Sequence, residues 1–136
     1  MTFRADYRSA ARAALAAVPR FAGMEVIRSW AGMIDDAALP VLGVVTASET
    51  LRPGSSGQFE HATLLQVVTK RRGGEMIEDE LDLDADAIVA AVQPALFTRE
   101  AQCFPSDITF AINGDGRQRV GTVVVTFRIT SWRPAP

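Results

Sequence analysis

The stretch that decides the fold is Arg119-Val-Gly-Thr-Val-Val-Val-Thr-Phe-Arg-Ile-Thr-Ser-Trp-Arg133. In an extended chain Val123, Val125, Phe127 and Ile129 project to one side, and Thr122, Thr126, Arg128 and Thr130 to the other. A period of two is the signature of a strand with one buried and one polar face. Just upstream, Ile108, Phe110 and Ile112 alternate in the same way. Asn113-Gly114-Asp115-Gly116 separates the two runs, and these residue types tolerate the positive φ of a tight connection. The spacing predicts a long antiparallel hairpin. No catalytic kit accompanies it, so the function is sought in surfaces rather than in a reactive side chain.

Working outward, Phe3 to Val18 reads as a helix. Phe3, Tyr7, Ala10, Ala11, Ala14, Leu15 and Val18 recur at helical spacing, Thr2 is a suitable N-cap, and Pro19 stops the run. Arg4, Arg8 and Arg12 form a basic stripe on this helix, read first as a solvated face. Glu25 to Trp30 reads as a short strand and Gly32 to Ala38 as a turn. Leu39 to Leu51 reads as a second strand, with Pro40 at its start, and Arg52 to Gln58 as a flexible loop. Phe59 to Lys70 has apolar residues on both faces, the pattern of a central strand, and Lys70 to Gly74 reads as a basic turn. A second helix is expected over Ile77 to Leu96, with Ile77, Leu81, Ala85, Ile88 and Val92 as its apolar stripe and Pro94 ending or kinking it. Its first turns carry Glu78, Asp79, Glu80, Asp82, Asp84 and Asp86, well placed at the positive end of the helix dipole. Phe97 to Phe104 reads as an irregular crossing. The order helix, three strands, helix, two strands predicts an α+β fold. Its sheet is mostly antiparallel, of four to five strands, with two main helices packed on one face.

With 136 residues the chain fits one domain, able to bury about two-thirds of its unfolded surface. A net charge of -2 gives no overall attraction to nucleic acid or to a membrane. Cys103 is the only cysteine, which rules out an internal disulfide and suits a reducing cytoplasm. The charges of Arg4, Asp6, Arg8 and Arg12 interrupt the first apolar residues, so neither a signal peptide nor a membrane span is expected there.

His61 is the only histidine and falls within a strand, without the partners that a triad or a zinc site needs. Gly114 and Gly116 lie between strands, which suits a hairpin and not a phosphate loop. The acidic run from Glu78 to Asp86 lacks the spacing of a calcium loop. It reads as a solvated helix start, or as a protein interface that faces arginines. No catalytic, cofactor or metal site is assigned.

This layout resembles the tail terminator proteins of long-tailed phages and phage-like gene transfer agents. The resemblance rests on the N-terminal helix and on the Leu39-Pro40-Val41 strand with Thr46 and Glu49. It continues through the apolar strand Ala62 to Val68, the acidic helix start with Leu83-Asp84-Ala85-Asp86-Ala87-Ile88-Val89-Ala90-Ala91-Val92, and the closing strand Val120 to Ile129 followed by Trp132. Other head–tail joining proteins share this length and layout. The resemblance implies a structural, non-enzymatic role. A homohexameric ring would cap the head-proximal end of the tail tube, stop tube polymerisation and present a face to the head–tail connector or stopper. DNA would pass through the lumen without specific binding. Assembly would take place in the host cytoplasm, with the ring then resident in the particle tail. Under this reading the interface candidates are Arg4, Arg8, Arg12, Arg52, Ser55, Gln58, Arg71, Arg72, Glu78, Asp79, Glu80 and Asp82. The alternative reading is a small α+β binding domain, or an enzyme with no recognisable site.

Overall fold

The computed structural model describes residues 2–27, 39–114 and 119–134. Helix α1 spans Phe3–Ala16, and the Thr2 hydroxyl accepts the Ala5 amide at 3.3 Å as its cap. Pro19 opens a short 3-10 turn, Pro19–Phe21, whose Phe21 is buried. The strands are β1 (Glu25–Ile27), β2 (Val41–Pro53), β3 (Gln58–Gly73), β4 (Ala101–Asn113) and β5 (Arg119–Pro134), and helix α2 spans Ile77–Leu96. They form one five-stranded sheet in the order β1-β2-β3-β5-β4. Among the described residues only the β1–β2 pair is parallel. The expected α+β architecture is therefore the one observed.

Both helices cover the same face. Tyr7, Ala11 and Leu15 of α1 and Leu81, Ile88 and Val92 of α2 join Leu65 and Val67 of β3 and Val123, Val125, Phe127 and Ile129 of β5 in one core. The alternation read in the closing strand is thus the one that fills the interior. Two glycines let α2 settle onto the sheet. A Cβ on Gly121 would lie 2.8 Å from both Ile77 Cγ1 and Leu81 Cδ1, and one on Gly73 would lie 2.7 Å from Ile77 Cδ1.

Two bulges set which side chains face the helices. The β2–β3 register shifts between Thr46 and Ser48. Leu42 and Val44 lie on the helix side before it, and Glu49, opposite Thr63, lies there after it. The β4–β5 register shifts between Pro105 and Asp107, which brings Ile108, Phe110 and Ile112 opposite Val125, Val123 and Gly121. An extra residue in one strand changes the phase of all that follows, so a bulge re-aims side chains without breaking the sheet.

Several boundaries differ from expectation. Arg52 and Pro53 continue β2, and Gln58 already opens β3, so the loop shrinks to Gly54–Gly57. That turn is closed by the Gly54 amide donating to the Gln58 carbonyl at 2.8 Å, with positive φ at Ser56 and Gly57. Lys70 to Gly73 is strand rather than basic turn, paired with Thr122 to Arg119 of β5. The irregular crossing is limited to 97–100, because β4 begins at Ala101. Pro94 does not end α2 and sits inside its last turn. The turn expected at 32–38, and the strand residues beyond Ile27, lie outside the described residues.

Candidate functional site

Two carboxylates, Glu49 and Asp84, take part in most of the ion pairs among the described residues. Glu49 lies beneath α1, where Arg4 grips it with both arms: Nε donates to Oε1 at 3.0 Å and Nη2 donates to Oε2. Thr63 Oγ1 donates to the same carboxylate at 2.6 Å, and His61 Nδ1 lies 3.2 Å from Oε2. Burial alone would raise the Glu49 pKa. The hydrogen bonds from Arg4, Thr63 and His61, with the Arg4 charge, overcome that and bring it down to about 2. The same hydrogen bond raises the pKa of Arg4. His61 is 1% exposed and stands edge-on to Phe3, ring centres 5.5 Å apart. The β2 bulge makes this cluster, since without it Glu49 would point to the opposite face.

Asp84 is the second node and is fully buried. Arg20 Nε donates to Oδ1 at 2.7 Å, Arg71 Nε to Oδ2 at 2.8 Å and Arg71 Nη2 to Oδ1 at 2.8 Å. Thr69 Oγ1 donates to Oδ2 at 3.2 Å. Arg20 also reaches the Glu80 carbonyl at 2.8 Å and its carboxylate at 2.7 Å. Burial works against the Arg20 charge, but the hydrogen bonds to Asp84 and Glu80 more than offset it, and its pKa rises. This network ties the 3-10 turn, β3 and α2 together. Both carboxylates are fully engaged within the fold, whereas the buried His61 Nε2 has no hydrogen-bond partner among the described residues; the chemistry of the two carboxylates is cohesion.

The interface candidates therefore divide. Arg4 and Arg8 turn onto β2, Arg8 donating to Thr46 Oγ1 at 2.8 Å, and Arg12 is half-buried on the same stripe. Arg71 and Glu80 belong to the Asp84 network. Arg72 and Asp79 are exposed. Arg52, Ser55 and Gln58 are exposed together at the β2–β3 turn. Glu78 and Asp82 share the rim of an open groove of about 300 Å³ between α2 and β4, floored by Leu81, Phe110 and Ile112.

Sequence reasoning missed Arg20, Asp84 and the exposed row along β4. On this edge strand Phe104 (51% exposed) lies on the face away from the helices, where Phe97 packs edge-on against it, and beyond the bulge Ile108 (39%) and Phe110 (50%) lie on the helix face. The signal for Asp84 was present, because it lies three residues after Leu81 on the apolar stripe of α2. Cys103 is buried, which pushes its thiol up to about 12 and leaves it unreactive. Among the described residues no group of His, Cys, Asp and Glu is arranged to hold a metal ion, and no helix is long and apolar enough to cross a membrane.

No protein-family model matches the chain. No curated protein is significantly similar to it.

Proposed function

We propose that the chain is a structural ring subunit, a tail terminator of a long-tailed phage or phage-like gene transfer agent. Six copies cap the head-proximal end of the tail tube, stop its growth and offer their other face to the head connector. The likeness of layout described above motivates this reading. The observation that carries it is the open outer edge of β4. Among the described residues nothing pairs with that edge, and apolar side chains stand exposed along it. Unpaired edges with apolar flanks are places where another chain adds. The ionic side chains most able to do chemistry are held in interior ties instead.

Copies related by rotation about one axis meet through two different patches, and such contacts close into a ring when the rotation permits. In that ring the arginines stay out of the lumen wall, because a wall rich in guanidinium groups would retain DNA phosphates. Native mass spectrometry of the purified chain, and labelling of the chain in particles, test the reading. Six copies at the head–tail junction are expected. A monomer in the particle, or a ring of different order, would overturn it.

A further inference from the structure

The sheet has two outer edges, β1 on one side and β4 on the other, and among the described residues nothing pairs with the outer side of either. Each edge carries an exposed apolar side chain. Val26 is 40% exposed on β1, and Phe110 is 50% exposed on β4. Apolar side chains on an unpaired strand mark places where another strand adds. The pairing register says which strand fits.

Val26 pairs with Leu42, Leu42 with Thr69, Thr69 with Val123 and Val123 with Phe110. The two exposed residues are therefore opposite ends of one row that crosses all the strands of the sheet. Residues in register on neighbouring strands share a face. This row lies on the helix side, because Leu42 and Val123 belong to the core and Thr69 donates to Asp84 of α2. The next row runs from Ile27 through Gly43, Val68 and Val124 to Thr109, on the opposite face. Strand direction agrees as well. β1, β2 and β5 run one way, and β3 and β4 run the other. Consider a second copy set beside the first by a rotation that keeps strand direction, height and facing. Its β1 then lies antiparallel to β4 of the first copy, with no slip of register. The helix-side row runs on from one copy into the next.

We infer that β4 of one copy pairs antiparallel with β1 of the next, with Phe110 opposite Val26, Thr109 opposite Ile27 and Ala111 opposite Glu25. An aromatic side chain opposite a β-branched one is a favourable cross-strand pair. Glu25 is the only charged residue of the six, so no like charges meet. A two-fold pairing of β4 with β4 would also be antiparallel, but it would leave Val26 exposed and the β1 edge open. The β4–β1 contact covers both edges. Because those edges differ, it is head-to-tail and can close into a ring. This inference rests on the ring reading and assigns its contact.

Engineered cysteines test it, because directly opposite positions on paired antiparallel strands bring Cβ atoms to about 4.5–5.5 Å, close to the span of a disulfide. The native Cys103 is buried and does not compete. A Phe110→Cys chain mixed with a Val26→Cys chain is expected to form a mixed disulfide dimer under mild oxidation, read on non-reducing gels and by mass spectrometry. Thr109→Cys with Ile27→Cys reads the same register from the other face. Thr109→Cys with Val26→Cys places the thiols on opposite faces and is expected to link far less. Circular dichroism checks that each variant folds. In sedimentation velocity, Phe110→Ser is expected to raise the dissociation constant about tenfold. Wild-type chain that stays monomeric at high concentration, with neither matched pair linking, would overturn the ring reading and this contact with it. Wild-type assembly in which the matched pairs link no better than the opposite-face pair would overturn the contact alone. So would a Phe110→Cys chain that links to itself in preference to Val26→Cys, which would show a two-fold β4–β4 contact instead.

Discussion

Asp84 shows how one side chain can decide whether two others are tolerable. Its carboxylate is fully buried and meets Arg20 and Arg71 at 2.7–2.8 Å. Removing one partner from a buried ionic set leaves charge without compensation, which costs about 3–5 kcal/mol. Asp84→Ala should lower stability by that amount in urea titrations. Replacing Asp84, Arg20 and Arg71 together with apolar residues of similar size should recover much of the loss. Equal losses in the single and triple variants would show that the network matters through packing and not charge. Glu49 gives a pH signature. Its pKa falls from 4.5 to about 2 on folding. The folded state therefore favours the carboxylate, and that contribution is complete above the unfolded pKa near 4.5. It is lost as pH falls through about 2. Allowing for the part-exposed Arg4, the contribution is on the order of 2 kcal/mol. Urea titrations between pH 5 and pH 2 should show that much extra loss for the wild type relative to Glu49→Gln. Parallel curves would refute the assignment. Neither cluster was legible as a pairing, because Arg4 and Glu49 are 45 residues apart and Arg20 and Asp84 are 64 apart. What the sequence does contain is an acid on an apolar helical stripe, which a count restricted to apolar residues passes over.

Among the elements, the long helix and the closing hairpin were legible because each repeats its own period many times. The misread segments share a physical cause. Proline, glycine and clustered charge were taken as breakers, yet each sits where a strand tolerates it. Pro53 is at the turn end of β2, beyond the three residues that pair with β1. A proline that lacks a donor costs little where no neighbour needs that donor. Lys70 to Arg72 look like a turn only while their partners Thr122 to Val120 are ignored. The bulges were not legible at all, since the alternation on either side is intact and only the phase changes. Gly121 continues the apolar side of the alternation two residues before Val123 but has no side chain to show what packs there, and the space above it is taken by Ile77 and Leu81. Gly121→Ala should therefore push α2 away from β5 and cost about 1–3 kcal/mol, the range for overpacking. Gly23, with nothing within 4 Å of its missing Cβ, is the control. Gly23→Ala should change stability by less than about 0.5 kcal/mol. Urea midpoints compare the two, and similar effects at both sites would show that the close approach of α2 is not what Gly121 serves.

At the scale of the whole molecule, helices cover one face of the sheet while the β4 edge and the α2–β4 groove remain open. The α+β class was legible because it follows from element order and from which faces are apolar. The state of assembly was not, because a groove exists only once α2 and the shifted end of β4 lie side by side. No local pattern joins Glu78 to Phe110. If these open surfaces are where copies meet, folding and association are linked. A partner that binds only the folded chain stabilises it by about 2.7 kcal/mol when present at 100 times its dissociation constant. For a domain of this size that raises the melting temperature by roughly 10 °C. Calorimetry across a hundredfold range of protein concentration should therefore show Tm rising with concentration. Phe110→Ser, which removes a half-exposed apolar side chain from the open side of β4, should flatten that rise relative to its own dilute-limit Tm. A wild-type Tm independent of concentration would mean that these surfaces do not bring copies together in solution. A concentration-dependent Tm whose rise Phe110→Ser leaves intact would place the contact elsewhere on the molecule than the open side of β4.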